Sequence, residues 1–151
     1  METDNKNKLE RKLEKIRAAD IMSKFVVTIR EDQTVEYLAQ SLLRFKISGV
    51  PVISKEGEIC GIATSTDLFR LMEKTKRDFD EGIDVSNYSS TQVKTFMVTD
   101  IATITDNMNL YEIMKLMNSK NIHTLPVMNT MTNELVGIIG RRDVLNAFYA
   151  H

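Results

Sequence analysis

The chain has 151 residues, of which 42% are apolar and 27% are charged, and its formal net charge is −1. These values are typical of a globular domain with its own core, and they offer no global electrostatic reason for binding nucleic acid. A lone cysteine, Cys60, excludes an internal disulfide and a CxxC zinc site, and no run of 18 apolar residues or apolar leader is present. A reduced, soluble protein of the cytoplasm is therefore expected.

Residues 1–18 predict a charged N-terminal helix. Leu9, Leu13 and Ile16 recur at helical spacing and form a narrow apolar stripe. The simplest interpretation is a solvated helix that docks by this stripe onto its own domain or onto a sister subunit. A basic arm that binds nucleic acid fits less well, because acidic residues are interleaved with the basic ones.

Residues 19–73 predict the order β-α-β-β-α. A β-rich run at 25–29 comes first. Thr34 can then cap a helix, because Thr side chains accept hydrogen bonds from the free N–H groups of a first turn. The apolar residues that follow recur with helical spacing: Val35, Leu38, Ala39, Leu42 and Phe45.

Two further strands, 50–53 and 59–63, are expected to form a hairpin around a Gly-containing turn. Pro51 has no N–H to donate, so we expect it at the start of its strand or at an edge of the sheet. Thr64 or Ser65 would cap the last helix of this half.

Residues 74–92 predict a connector. Charged residues are mixed with Ser, Asn and Gly, which is typical of a loop with at most one helical turn. Its length is near the top of the usual range, so it is either a mobile segment or a flap. The composition leaves both alternatives open.

Residues 93–151 repeat the first half. The apolar helix face recurs with Asn109 as its cap, and a final helix is expected from Arg141 to Tyr149. Since two half-length copies cannot each make a core, we expect an α/β (α+β) fold in which they pack about a pseudo-two-fold axis. Landmark pairs keep an offset of 75 or 76 residues: Met22/Met97, Thr28/Thr103, Pro51/Pro126, Gly61/Gly137 and Asp67/Asp143.

The repeated unit resembles the CBS domain. Two motifs carry the resemblance: a hydrophobic-Pro-Val element and G-h-x-[S/T]-x-x-D. They read Gly49-Val50-Pro51-Val52-Ile53 and Gly61-Ile62-Ala63-Thr64-Ser65-Thr66-Asp67 in the first copy, and Thr124-Leu125-Pro126-Val127-Met128 and Gly137-Ile138-Ile139-Gly140-Arg141-Arg142-Asp143 in the second. The pair resembles a stand-alone Bateman module over about residues 19–149. No catalytic constellation or P-loop is found beside it, so an enzyme is not expected.

The resemblance implies that AMP, ADP, ATP or S-adenosylmethionine binds in clefts shared by the two copies. An aspartate near a helix start can accept hydrogen bonds from both ribose hydroxyls, and the free N–H groups there suit phosphate. One implied site combines Thr103, Ile122, His123, Thr124 and Leu125 with Thr64 and Asp67. The other combines Thr28, Ile47, Ser48, Gly49 and Val50 with Arg141, Arg142 and Asp143.

The second implied site departs from the motif. Gly140 stands where Ser or Thr is expected, and a lost hydroxyl hydrogen bond is worth roughly 0.5–1.5 kcal/mol. We therefore expect the Asp67 site to bind a nucleoside or monophosphate better. The Asp143 site would favour more phosphates, through Arg141 and Arg142, or be empty.

Each candidate also has a simpler structural interpretation. Asp67 and Asp143 can be charges that favour a helix dipole, and His123 can be satisfied by backbone groups. The nine methionines fit core packing better than a soft-metal site, and no metal is expected because the only other histidine is His151.

The expected function is an adenosyl-ligand sensor that acts by conformational change on an unknown partner, as a homodimer. A ligand-free structural or interaction module is the first alternative. A binder of nucleic acid or another ligand is the second. The residues do not distinguish among the adenosyl ligands.

Overall fold

The computed structural model describes residues 1–150, and His151 lies outside the described residues. The fold mixes helices with two three-stranded sheets, as the repeated pattern predicts. In chain order the elements are α1 (Glu2–Lys15), α2 (Ala18–Ile21), β1 (Ile29–Arg30), α3 (Val35–Phe45), β2 (Gly49–Ile53), β3 (Ile59–Thr64), α4 (Ser65–Asp80), β4 (Ile104–Thr105), α5 (Leu110–Lys120), β5 (Thr124–Met128), β6 (Leu135–Gly140) and α6 (Arg141–Tyr149), with 3-10 turns at Tyr88–Ser90 and Val93–Thr95.

The chain forms two compact units that differ from the two halves of the sequence. The central unit is Val27–Ile101, and the terminal unit joins Met1–Val26 to the chain from Ala102 onwards. Each unit has its own apolar core. The repeat boundaries at 19–73 and 93–151 describe the sequence pattern and stay a prediction.

The duplicated helices α3 and α5 begin and end in the same way. Thr34 Oγ1 accepts from the Tyr37 N–H at 3.2 Å, and Asn109 Oδ1 accepts from the Glu112 N–H at 2.9 Å. Both helices end in a left-handed residue, at Lys46 and Asn121. The predicted face is largely confirmed, with Phe45 38% exposed at its end; the fully buried residues are Val35, Leu38 and Leu42 in α3 and Leu110, Ile113 and Met117 in α5.

The position expected for Pro51 is wrong. β2 is the middle strand of the order β1-β2-β3, and Pro51 is its third residue, opposite Ile62. Ile62 exchanges both backbone hydrogen bonds with Val98, at 2.9 Å each, so the Pro51–Ile62 pair is a non-hydrogen-bonded one and needs no donor toward β3. On its other side β2 pairs in parallel with β1 only from Val52 onwards.

This proline also explains why the first strand is shorter than predicted. The run at 25–29 gives a strand only at Ile29–Arg30, and the second copy gives one only at Ile104–Thr105. Because Pro51 cannot donate to the parallel ladder, the ladder begins only at Val52, one residue after it. Pro126 has the same place in β5.

The segment that opens each repeat, which we call its lead-in, packs on a sheet within its unit. Met97 and Val98 lie against β3, where a Cβ on Gly61 would come within 2.6 Å of Met97 Sδ. In the terminal unit Ser23 exchanges hydrogen bonds of 2.9 and 3.0 Å with Ile138 of β6, beside Gly137. The repeated glycines are therefore sites of close packing by these lead-in segments.

The loop expected at the start of the connector is wrong for residues 74–80. Helix α4 continues to Asp80, and its charges pair at i,i+4, with Glu73–Arg77 at 2.7 Å and Lys74–Asp78 at 2.8 Å. The helix ends at Asp80, and Gly82, two residues further on, has a φ of +80 and donates its N–H to the Phe79 carbonyl. Only the part after Asp80 is a connector of turns.

The N-terminal helix is present as α1 and docks on its own chain, which is one of the two alternatives that its stripe left open. Leu13 and Ile16 pack against the core of the terminal unit, whereas Leu9 is 43% exposed. No helix within residues 1–150 is long and apolar enough to span a membrane.

Candidate functional site

Asp67 is the buried charge around which the candidate residues of the central unit are arranged. It lies in the first turn of α4 and is 6% exposed. Its Oδ2 accepts from the Thr64 N–H at 2.8 Å and from the Thr64 hydroxyl at 3.1 Å. Thr64 Oγ1 accepts in return from the Asp67 N–H at 3.4 Å, which completes a reciprocal cap. No donor within residues 1–150 contacts Oδ1.

The start of β2 lies beside this cap. Gly49 pairs with Thr64, Val50 pairs with Ala63, and the Ser65 N–H donates to the Ser48 carbonyl at 2.9 Å. The structure thus brings Ser48 and Val50 beside Thr64 and Asp67, although the resemblance had placed the two pairs in different sites. Val50 is fully buried, whereas the polar Ser48 is exposed.

Two other candidate residues of the central unit differ in how far they are buried. Ile47 is half-buried and packs against the unit's core. Thr28 is exposed and comes directly before β1. Its side chain makes no hydrogen bond to another candidate among the described residues.

The terminal unit repeats the arrangement without its hydroxyl. Asp143 is half-buried in the first turn of α6, and its Oδ2 accepts from the Gly140 N–H at 2.7 Å. Gly140 has no side chain to accept from the helix N–H groups, so the reciprocal bond of the first copy is lost. Its φ of −104 is ordinary extended backbone. A Cβ there would lie 3.8 Å from its nearest neighbours, so the structure has room for a side chain.

His123 and Arg141 face each other across the ends of β5 and β6. Arg141 Nη1 lies 3.3 Å from His123 Nε2, and Thr124 pairs with Gly140 beside them. This contact was not predicted from the sequence. The predicted hairpin could have indicated it, since its register places residue 123 opposite residue 141.

The remaining candidates of the terminal unit are less closely placed. Ile122 is half-buried against the core, and its N–H bonds to the Met117 carbonyl at 3.1 Å. Thr103 is exposed before β4, as Thr28 is before β1. Arg142 is exposed on α6.

Cys60 and Asp106 are two residues whose side-chain pKa values are shifted. Burial, followed by the nearby Glu31 carboxylate, raises the pKa of the Cys60 thiol, which fits a packing role. Hydrogen bonds from Thr130 lower the pKa of the half-buried Asp106. Within residues 1–150 no group of three or more His, Cys, Asp or Glu side chains is placed to hold a metal ion.

One protein family matches the chain at two places. A family model described as CBS domain matches residues 18–74 and again residues 93–150. These two segments contain both copies of the motif and all the candidate residues. The resemblance seen in the sequence is therefore confirmed.

Relatives differ in how much of their length the match includes. Inosine-5'-monophosphate dehydrogenase of Methanocaldococcus jannaschii is 29% identical over 129 residues, covering 85% of this chain and 23% of the dehydrogenase. The chain thus spans about a quarter of that enzyme. An uncharacterized protein of the same archaeon, MJ1426, is 28% identical, with 93% of this chain and 96% of the relative covered.

Two solved structures share the fold. The CBS domain pair of protein MJ0100, in complex with 5'-methylthioadenosine and S-adenosyl-L-methionine, has a TM-score of 0.73 and 20% identity, and the match covers 87% of this chain and 94% of that chain. CBSX2 in complex with AMP has a TM-score of 0.70 and 21% identity over 87% of this chain and 95% of its own. At these identities the likeness shows the fold alone.

Proposed function

This chain belongs to the CBS domain family, and on that premise we propose that it is a regulatory module that binds an adenosyl ligand. Two proteins of the same fold are described in complex with AMP and with 5'-methylthioadenosine and S-adenosyl-L-methionine. These molecules share an adenosine, so the adenosine is the part that a common site would recognise. The proposal assigns the chain no catalytic role.

The state of Asp67 is the observation that carries the proposal. The carboxylate is 6% exposed overall, and only Oδ2 receives hydrogen bonds from the described chain. No solvent-shielded side-chain oxygen within residues 1–150 lacks a hydrogen-bond partner, so Oδ1 is open to water. Oδ1 can therefore exchange that water for a ligand hydroxyl, and a hydrogen bond to a charged acceptor is a strong one. The ribose of an adenosyl compound offers two adjacent hydroxyls. We assign their recognition to Asp67, with Thr64 holding the carboxylate in place.

Asp143 is proposed as the corresponding ribose ligand of the terminal unit. Its carboxylate is less buried and lacks the hydroxyl partner, whereas Arg141 and Arg142 add donors for phosphate oxygens. His123, which the resemblance placed with Asp67, lies beside Arg141 and is proposed to contact the same phosphates. We therefore propose that this unit prefers ligands with more phosphates. The other candidates are assigned to the base and its surroundings: Thr28, Ile47, Ser48, Val50, Thr103, Ile122 and Thr124.

A thermal-shift screen tests the proposal. AMP, ADP, ATP, S-adenosylmethionine, NAD and GTP are each added at increasing concentration. A ligand at a hundredfold its Kd stabilises the folded state by about 2.7 kcal/mol, which raises Tm by roughly 5–10 °C for a chain of this size. We expect such a shift with at least one adenosyl compound and a smaller one with GTP. No shift with any compound would leave a structural module with vacant sites.

The regulatory part of the proposal requires a partner surface, and α4 offers one. Phe69 and Phe79 are 67% and 65% exposed and Met72 is 53% exposed, all on one side of the helix. We propose that this stripe pairs with a second copy of the chain. Analytical ultracentrifugation should show a dimer that Phe69→Asp converts to a monomer, with Lys74→Ala as the control on another side of α4. A wild-type monomer at high concentration contradicts the dimer.

A further inference from the structure

Helix α1 is held on the terminal unit through its C-terminal end, where the Ile16 carbonyl accepts from the Leu110 N–H at 2.8 Å. None of its residues is fully buried, and residues 1–11 are exposed. Its anchors are the half-buried Leu13 and, just beyond its end, Ile16. Met1, at its N-cap, makes no side-chain hydrogen bond. A helix of 14 residues is marginal in water, so α1 depends on docking to stay folded.

One contact of α1 reaches the C-terminal end of α6. Lys12 Nζ donates to the Phe148 carbonyl at 2.9 Å and to the Ala150 carbonyl at 3.4 Å. The last carbonyls of a helix have no partner within it and carry partial negative charge. Helix α6 has no basic residue in its own last turn. Lys12 therefore supplies from α1 the cation that α6 lacks.

The other end of α6 holds the proposed phosphate and ribose ligands. Arg141 and Asp143 lie in its first turn. The helix has nine residues, so its ends are about 13 Å apart. Within the described part of the chain Val144 is its one buried residue, and Ala147 and Phe148 are half-buried against the core. A phosphate at the first turn and the Lys12 ammonium at the last turn both favour the same helix dipole, so both stabilise one short and lightly buried element.

We propose that α1 is a detachable strap whose docking is coupled to ligand binding at the N-terminal end of α6. Ligand tightens the docking of α1, and docked α1 raises the affinity for ligand, because a coupling free energy acts equally in both directions. Occupancy of the site is then presented to a regulated partner as the docked or released state of α1. The inference rests on the proposed function, since it needs a ligand beside Asp143.

The test removes the Lys12 charge and retains its stem. Lys12→Met is compared with Lys8→Met, which changes an exposed lysine of the same helix. Among AMP, ATP and S-adenosylmethionine, the compound with the largest thermal shift is titrated into each full chain by calorimetry. We expect Lys12→Met to bind two- to fivefold more weakly, the range for one charge at a helix end, and Lys8→Met to bind as wild type does.

Hydrogen exchange supplies a second readout that does not depend on affinity. Without ligand, amides of residues 2–15 should exchange faster in Lys12→Met than in wild type. With ligand, they should slow in wild type. Unchanged affinity in Lys12→Met together with unchanged α1 exchange on ligand addition overturns the coupling and leaves the proposed function standing. If wild type binds none of the three compounds, the proposed function is overturned, and the coupling with it.

Discussion

Replacing Gly140 by Ser should restore to α6 the cap that α4 already has. Gly140 has φ −104 and ψ 172, close to the φ −130 and ψ 168 of Thr64. The position therefore suits an ordinary side chain. A Cβ built there lies 3.8 Å from the Asp143 carboxylate and from the His123 carbonyl, which is ordinary contact. The new hydroxyl would lie where the Thr64 hydroxyl lies in the first copy, within reach of the N–H of Asp143.

The magnitude follows from a comparison of Gly140→Ser with Gly140→Ala. Both variants remove the freedom of glycine from the unfolded chain, so that contribution cancels between them. The Ser variant alone gains the cap hydrogen bond, which is worth about 1 kcal/mol over Ala at an N-cap. For a chain of this length the difference corresponds to roughly 2–4 °C in Tm.

Urea denaturation of both variants, followed by circular dichroism, measures the free energy of unfolding. We expect Gly140→Ser to be the more stable variant by this amount, with equal m-values. Calorimetric titration of the same proteins should show tighter ligand binding at the Asp143 site in the Ser variant. Equal stability of the Ser and Ala variants would refute the equivalence of the two helix starts.

Two further outcomes follow from the central unit. Gly61→Ala places a Cβ within 2.6 Å of Met97 Sδ and 2.9 Å of the Val98 carbonyl oxygen, so we expect the free energy of unfolding, measured by urea denaturation, to fall by about 1–3 kcal/mol. Gly140→Ala is the control and should change it little. An unchanged free energy in Gly61→Ala would mean that the lead-in does not pack against Gly61. Alkylation of Cys60 by iodoacetamide should be slow at pH 8, because burial and then Glu31 raise the pKa of the thiol and reduce its thiolate fraction. Glu31→Gln should lower that pKa and speed the reaction at the same pH, and an unchanged rate would contradict the role of the carboxylate.

The helices were predictable because their signals are local. The cap at Thr34 and the helical spacing after it specify where α3 starts and which face it buries. Asn109 and the apolar residues that follow it at helical spacing specify the same for α5. The final helix runs from Arg141 to Tyr149, as expected. Repetition of these patterns in one chain also carried the family resemblance.

The features that sequence analysis missed depend on contacts between distant residues. Pro51 tolerates the middle of a sheet because Ile62 turns its backbone groups to Val98, 36 residues further along. The mixed charges after Lys74 look like a loop until the i,i+4 pairs of a continuing helix are considered. The burial of Asp67 likewise follows from packing that no local pattern reports.

The central claim is that Asp67 holds the ribose of an adenosyl ligand. Calorimetric titration of Asp67→Asn tests it most directly, because the amide oxygen can still accept from the Thr64 N–H while the charge is lost. Asp80→Asn, on the exposed end of the same helix, is the control. Hydrogen bonds to a charged group contribute about 1.5–3 kcal/mol, so we expect Asp67→Asn to bind AMP at least tenfold more weakly and Asp80→Asn to bind it as wild type does. Equal AMP affinity in all three proteins would contradict the account.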